Sequence, residues 1–226
     1  MERHQFCYKY PHPAVTTDCV ILAFDGKQLK LLLIERAREP HQGKWALPGG
    51  FLNIDEEAGQ GALRELLEET GIEMAHVEQF GVFSTPDRDP RERVITIAHV
   101  ALVSMQQVVA GDDAAKAQWF SPDALPPLAF DHALIIAQAF TWLRRLIEFE
   151  PIGLDAMPQQ FHIGTLQRLY EQIMGTKLNG DHLAHSLLHH GIITPLSGCP
   201  TLFEFDRDRC RELKGNCTPL RACEAQ

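Results

Sequence analysis

Glu65, Glu68 and Glu69 place three carboxylates within five residues of one another. The apolar residues among them, Ala62, Leu63, Leu66 and Leu67, recur at helical spacing, so the stretch predicts a helix lying on a sheet. Residues three and four apart share a helix face, which puts the three carboxylates on one side. Like charges so placed repel, and folding alone does not ask for them. A hard divalent cation does. Mg²⁺ takes oxygen ligands and is commonly held by one or two carboxylates plus substrate phosphates.

Gly71 sits where a glycine would stop this helix. Glu56 lies eight residues before Arg64. Within one helix that is about 12 Å, too far for a direct pair. A Glu56–Arg64 pair therefore requires Glu56 to lie in a loop that folds back. Gly49 and Gly50 suit such a loop, because glycine permits positive φ and close backbone approach.

The remaining elements must hold this helix. Residues 15–24, VTTDCVILAF, read as a strand, Asp25-Gly26 as a turn, and residues 29–35 as its hairpin partner. Residues 40–44 form a loop, and Trp45 leads to a turn at Gly49-Gly50. Residues 77–84 and 94–103 read as strands around a charged loop at 86–93, and 118–120 as a short strand. A long helix is expected over 131–149. The fold class is α/β (α+β), a mixed sheet between helices. The rhythm changes at Glu150-Pro151, which divides the chain into 1–150 and 151–226. In the second part, helices at 165–175 and 181–190 precede two short strands at 192–194 and 202–205. That is the order of a winged helix.

The stretch from Gly50 to Ile72 resembles the Nudix box, G-x5-E-x7-R-E-U-x-E-E-x-G-U with U apolar. Gly50, Glu56, Arg64, Glu65, Leu66, Glu68, Glu69, Gly71 and Ile72 fill every fixed position. The resemblance implies a Nudix α/β/α sandwich. It also implies Mg²⁺-dependent hydrolysis, with Mn²⁺ as the alternative ion, of a nucleoside diphosphate linked to another moiety. Glu65, Glu68 and Glu69 are then the metal-binding carboxylates, with Glu65 serving as base, ligand or both. Glu56 is the partner that orients Arg64. Segments 10–18, 43–50, 87–94 and 128–132 resemble the ADP-ribose pyrophosphatase branch. The tail, through Phe161, Leu166-Gln167, Leu169-Tyr170-Glu171, Ile173 and Gly175, is similar to the winged-helix part of Nudix-related regulators of NAD metabolism.

Pyrophosphate hydrolysis needs charge neutralised on two phosphates and an activated water. Gly49 and Gly50 could add backbone carbonyls. Among Arg36, Arg88, Arg91 and Arg93, which lie in or beside loops, Arg36 and Arg88 are the expected phosphate or adenine contacts. Trp45 is expected to pack beneath the glycine turn. Asp112-Asp113 reads as an acidic loop, near the site or simply solvated. Asp131 is expected to cap its helix, with His132 in the first turn.

A formal charge of −9 over 226 residues argues against general affinity for nucleic acid or an anionic membrane. The first residues lack the apolar core of a secretory signal, and no run approaches the length of a membrane span. A cytoplasmic protein is expected. Six cysteines, four near the end beside many histidines, raise zinc, but their spacing fits no common module.

Two function classes follow: a hydrolase of ADP-ribose-like compounds, and an ADP-ribose sensor that binds DNA through its tail. The intact box favours the hydrolase. Residues 181–190, DHLAHSLLHH, hold no Lys or Arg for phosphates or base edges. From Pro151 onward seven basic residues face eight acidic ones, a formal charge of −1. DNA is disfavoured as a partner on that balance. A small-molecule substrate and a homodimer, with the tail serving assembly or structure, are expected.

Overall fold

The structure is a computed structural model and describes residues 8–111, 114–196, 198–214 and 220. Its centre is β1 (Ala14–Phe24), which pairs in parallel with β6 (Val94–Ser104) along its whole length. Strands buried on both faces read as continuous apolar runs, as β1 does. Alternation then divides its side chains. Cys19, Ile21 and Ala23 face helix α1 (Ala58–Thr70) through Ala62 and Leu66. Val20, Leu22 and Phe24 face helix α2 (His132–Ile147) through Ile135, Ala139 and Leu143. This is an α/β/α sandwich around a mixed sheet.

On its other side β1 changes partner. Residues 22–24 pair with β2 (Leu29–Arg36), closed by a turn in which Asp25 Oδ1 accepts from the amides of Lys27 and Gln28. Residues 16–18 pair instead with β4 (Gly49–Phe51). The expected glycine turn is therefore a short strand. β3 (Trp45–Ala46) and β7 (Ala114–Phe120) add to β2, and β5 (Glu78–Phe83) adds to β6. β7 is longer than its sequence reading, since alternation stops at Lys116 on an exposed edge. The fork of β1 between β2 and β4 sets Gly49 and Gly50 against α1.

After Pro151 come β8 (Gln160–His162), α3 (Ile163–Met174), α4 (Gly180–His189), β9 (Ile193–Leu196), β10 (Cys199–Phe205) and α5 (Arg207–Leu213). The three strands form an antiparallel sheet in the order β8-β10-β9. With α3 and α4 this gives a small winged-helix-like module. β8 and α5 are too short to leave a periodic signal in the sequence. Gly175, with φ 73°, ends α3, and Asn179 caps α4 by accepting from the amides of Asp181 and His182.

The module is not loosely tethered. One apolar cluster runs from Val20 and Leu143 through Ile152 to Leu169, Leu183 and Phe203. Arg144 Nε donates to the Ile173 carbonyl at 2.8 Å, and Gln172 Oε1 accepts from the Leu29 amide at 2.7 Å. No described helix is long and apolar enough to cross a membrane.

Candidate active site

Glu56 lies in the loop that leads into α1, as the eight-residue spacing requires. Its carboxylate takes Arg64 in a fork, from Nε at 3.0 Å and Nη2 at 2.6 Å. A further bond comes from the Asn53 amide at 2.7 Å. Arg64 hydrogen bonds hold the Glu56 carboxyl down to about 2. The remaining Arg64 donors reach the Phe51 carbonyl at 3.1 Å, Glu65 Oε1 at 2.8 Å and Glu68 Oε2 at 3.3 Å. One guanidinium thus ties the loop, β4 and the acidic helix together. Gly61 makes the close approach feasible, because a Cβ there would run into Leu52 and Glu56.

Glu65 and Glu69 converge on β4. The Glu69 carboxylate accepts from the Gly49 amide at 2.9 Å. A Cβ at Gly50 would run into the Glu65 carboxylate, so glycine leaves an open cradle there. Glu69 is 8% exposed. Burial, with Glu65 and Asp18 as like-charged neighbours, pushes it up to about 8, against the opposing Gly49 hydrogen bond. Burial also raises Glu65, although Arg64 opposes it.

Glu68 differs from the other two. It stands at the rim, its side chain 58% exposed, and touches Arg64. Leu67, expected in the apolar stripe, is exposed as well, while Glu69 is buried in its stead. The helix is turned so that two carboxylates, not three, face inward.

Arg88, expected as a phosphate or adenine contact, is buried, with its side chain 4% exposed. Its guanidinium donates to both Asp131 oxygens, at 3.0 and 2.7 Å, and lies 3.4 Å from Asp18. It braces the start of α2 against β1. Asp131 consequently does not cap its helix through its side chain. His132 is buried too, and burial lowers its pKa. Its Nδ1 accepts from the Leu47 amide at 2.8 Å, which places the proton on Nε2, 3.5 Å from Asp18. Arg36 lies at the end of β2, where Glu69 and Asp18 both act on its charge. Trp45 packs edge-on against Phe120 with centroids 4.6 Å apart.

Sequence reasoning passed over Asp18, although a lone charge inside an apolar strand was a signal. Phe51 carried none, and Phe130 entered only within the resemblance of segment 128–132. Asp112 and Asp113, and Cys7, Cys217 and Cys223, lie outside the described residues. Cys19 and Cys210 are buried as free thiols.

The donor set is all oxygen: the Glu65 and Glu69 carboxylates beside the β4 backbone. That chemistry fits a hard divalent cation. Among the described residues no three His, Cys, Asp or Glu side chains close into a ready cage. Mg²⁺ does not need one, since it keeps several waters and uses substrate oxygens.

The NUDIX domain family matches residues 12–143. This chain belongs to the Nudix family. It is 33% identical over 191 residues to the ADPR responsive transcriptional repressor NtrR of Acinetobacter baylyi, covering 81% of this chain and 76% of that protein. It is 44% identical over 133 residues to the ADP-ribose pyrophosphatase of Methanocaldococcus jannaschii, covering 59% of this chain and 76% of the relative. The crystal structure of Shewanella oneidensis NrtR complexed with a 27mer DNA superposes with a TM-score of 0.74 at 27% identity, covering 87% of this chain and 95% of that one.

Proposed function

We propose that this Nudix protein is a Mg²⁺-dependent pyrophosphohydrolase that splits ADP-ribose to AMP and ribose 5-phosphate. The observation that carries the reading is the complete inner site: Glu65 and Glu69 facing the Gly49-Gly50 strand, locked by the Glu56–Arg64 fork. The pyrophosphatase and the ADP-ribose-responsive repressor support the substrate class.

Mg²⁺, when bound, supplies charge neutralisation on the phosphates and activation of the attacking water. Glu65 and Glu69 would hold it, Glu68 would join from the rim, and the Gly49 or Gly50 carbonyl could complete the set. Arg36, at the end of β2, would carry phosphate charge. Arg64 acts on the substrate only through the carboxylates it orients. Arg88 has its guanidinium engaged elsewhere, so its part is to place Asp18 and α2. The proton acceptor in this reading is Glu65, the less buried of the two inward carboxylates.

The second reading is an ADP-ribose-responsive DNA binder. It is favoured by the winged-helix-like module and by the length over which the DNA-complexed NrtR superposes. Against it stands α4, whose exposed face offers His182, His185 and His189 and no Lys or Arg. The boundary at Pro151 belongs to the same proposal: residues 1–150 act on the nucleotide, and 151–226 serve structure or assembly.

The test is a panel of nucleoside diphosphate compounds with Mg²⁺, scored for release of AMP. Turnover of ADP-ribose is expected. ADP-ribose binding without turnover of any compound would favour the sensor.

A further inference from the structure

Phe130 stands in the left-handed region of backbone space, with φ 50°. A bulky L residue avoids that region, and such an outlier persists only where its surroundings over-determine it. His41, with φ 67°, shares the feature and meets the Phe130 ring edge-on, centroids 4.8 Å apart. One side of the Phe130 ring packs on the Ile34, Ala46, Ala114 and Ala129 cluster and lies near the His132 ring, centroids 5.4 Å apart. The conformation also aims the ring at two guanidiniums.

Arg36 Cζ lies 4.8 Å from the Phe130 centroid, and Arg91 Cζ lies 5.9 Å from it. Arg91 in turn lies 5.2 Å from the Phe51 centroid. Phe51, Arg91, Phe130 and Arg36 thus form a chain of alternating ring and cation. It runs from the end of β4, one residue past Gly50, to the end of β2. Both ends border the carboxylate cradle. Each guanidinium is also held from behind. Asp89 takes Arg91 through Nε at 3.0 Å and Nη2 at 2.6 Å, and the Pro40 carbonyl takes Arg36 Nε at 2.8 Å. The Arg36 bond uses Nε, and among the described residues none accepts from its Nη donors.

Two like charges brought together need a reason. Burial and then Arg91 hold the Arg36 pKa below its ordinary value. An anion placed near both would relieve that repulsion. A ring beside the cations screens it and fixes their planes. The exposed end of the chain, Phe51 at 40% exposure, offers an aromatic surface to a base.

We propose that Phe130 is a positioning residue for the nucleoside diphosphate, resting on the substrate class proposed above. Its ring sets Arg36 against the diphosphate and Arg91 with Phe51 against the base. Phe130 itself touches the arginines and not the reacting atoms.

The experiment is equilibrium binding of ADP-ribose by calorimetry in EDTA, where turnover cannot interfere. Phe130→Leu keeps apolar volume and removes the ring, and affinity should fall about tenfold, the scale of one or two partly desolvated cation–π contacts. Phe130→Tyr should restore affinity to within about threefold of wild type. Arg36→Ala should weaken binding, and Arg36→Ala with Phe130→Leu should lose less than the product of the two single losses. Unchanged binding by Phe130→Leu, or strict multiplication in the double variant, overturns the inference while the substrate reading stands. A Tyr variant as weak as the Leu variant also overturns it, because shape and not the ring would then be at work. Absence of ADP-ribose binding by the wild type in EDTA overturns the inference, which needs the arginines to hold the diphosphate without metal, whereas absence of AMP release with Mg²⁺ removes the substrate reading.

Discussion

Helices α1 and α4 are built alike and differ in what their exposed residues can do. Each is capped at its start, buries one face and presents polar residues beside a short strand. On α1 the polar residues are carboxylates, and Glu65, Glu68 and Glu69 each have a described partner, either Arg64 or the Gly49 amide. On α4 they are histidines, of which His185 and His189 stack with centroids 6.4 Å apart. The exposed face of α4 holds no Lys or Arg, the fixed positive charge that phosphate contacts use. Two helices of similar build thus differ in the charge they offer a ligand.

The sharpest way to break the comparison is Glu69→Gln. A neutral amide is a poor ligand for a hard cation, so turnover should fall by about 10³-fold, the scale of several kcal/mol of lost charge stabilisation. The fold should persist, since the amide oxygen of the substituted side chain can still accept from Gly49. Circular dichroism and steady-state AMP release check this, and wild-type turnover would remove Glu69 from the site.

The Glu56–Arg64 fork tests whether α1 is preorganised. Glu56→Gln should lower turnover about 10- to 100-fold, as loss of an orienting partner does. Arg64→Ala should lower it more. The double variant should match the Arg64→Ala single, because the two residues act as one unit. Independent effects would mean that Arg64 meets the substrate itself.

For α4 the comparison can be reversed by adding charge. His185→Lys with His189→Lys should raise affinity for duplex DNA roughly tenfold and steepen the salt dependence by about two units of log–log slope. Gel-shift or fluorescence titrations at several salt concentrations measure both. Tight, sequence-specific binding by the unaltered chain would instead show that α4 reads DNA without fixed charge.

The smallest effect concerns acid. Glu56 sits at about 2, below its ordinary 4.5, so the fold favours its ionised form. Its contribution to stability is complete above about pH 4.5 and is lost as pH falls toward 2. The difference in melting temperature between wild type and Glu56→Gln should therefore narrow from about pH 5 to about pH 2.5. A constant difference would show that packing, not charge, sets the Glu56 contribution.

The strands β1, β2 and β6 and the helix α2 were legible because their apolar periods are long, and α1, α3 and α4 because their ends also carry Gly or a cap. The fork of β1 was not. Whether residues 49–51 turn or pair depends on which partner β1 takes at residues 16–18, a long-range choice that local propensity does not encode. Glu56 with Arg64 could be read from spacing alone, because only a folded-back loop closes the distance. Arg88 could not be told from Arg36 or Arg91. Burial separates them, and burial of Arg88 is decided by Asp18 and Asp131, more than forty residues away on each side. The left-handed Phe130 left no trace, since nothing in residues 128–132 calls for a positive φ.

Because a single apolar cluster joins β1 and α2 to α3, α4 and β10, the chain is expected to melt in one event. A nucleotide that binds beside Gly49 then slows amide exchange in the far helices as well as near itself. Cutting the chain at Pro151 would bare Leu143 and Ile147 on α2 and turn a stable sandwich into an aggregating one. The tail thus supports the site from the far face of the sheet, through α2 and not through α1.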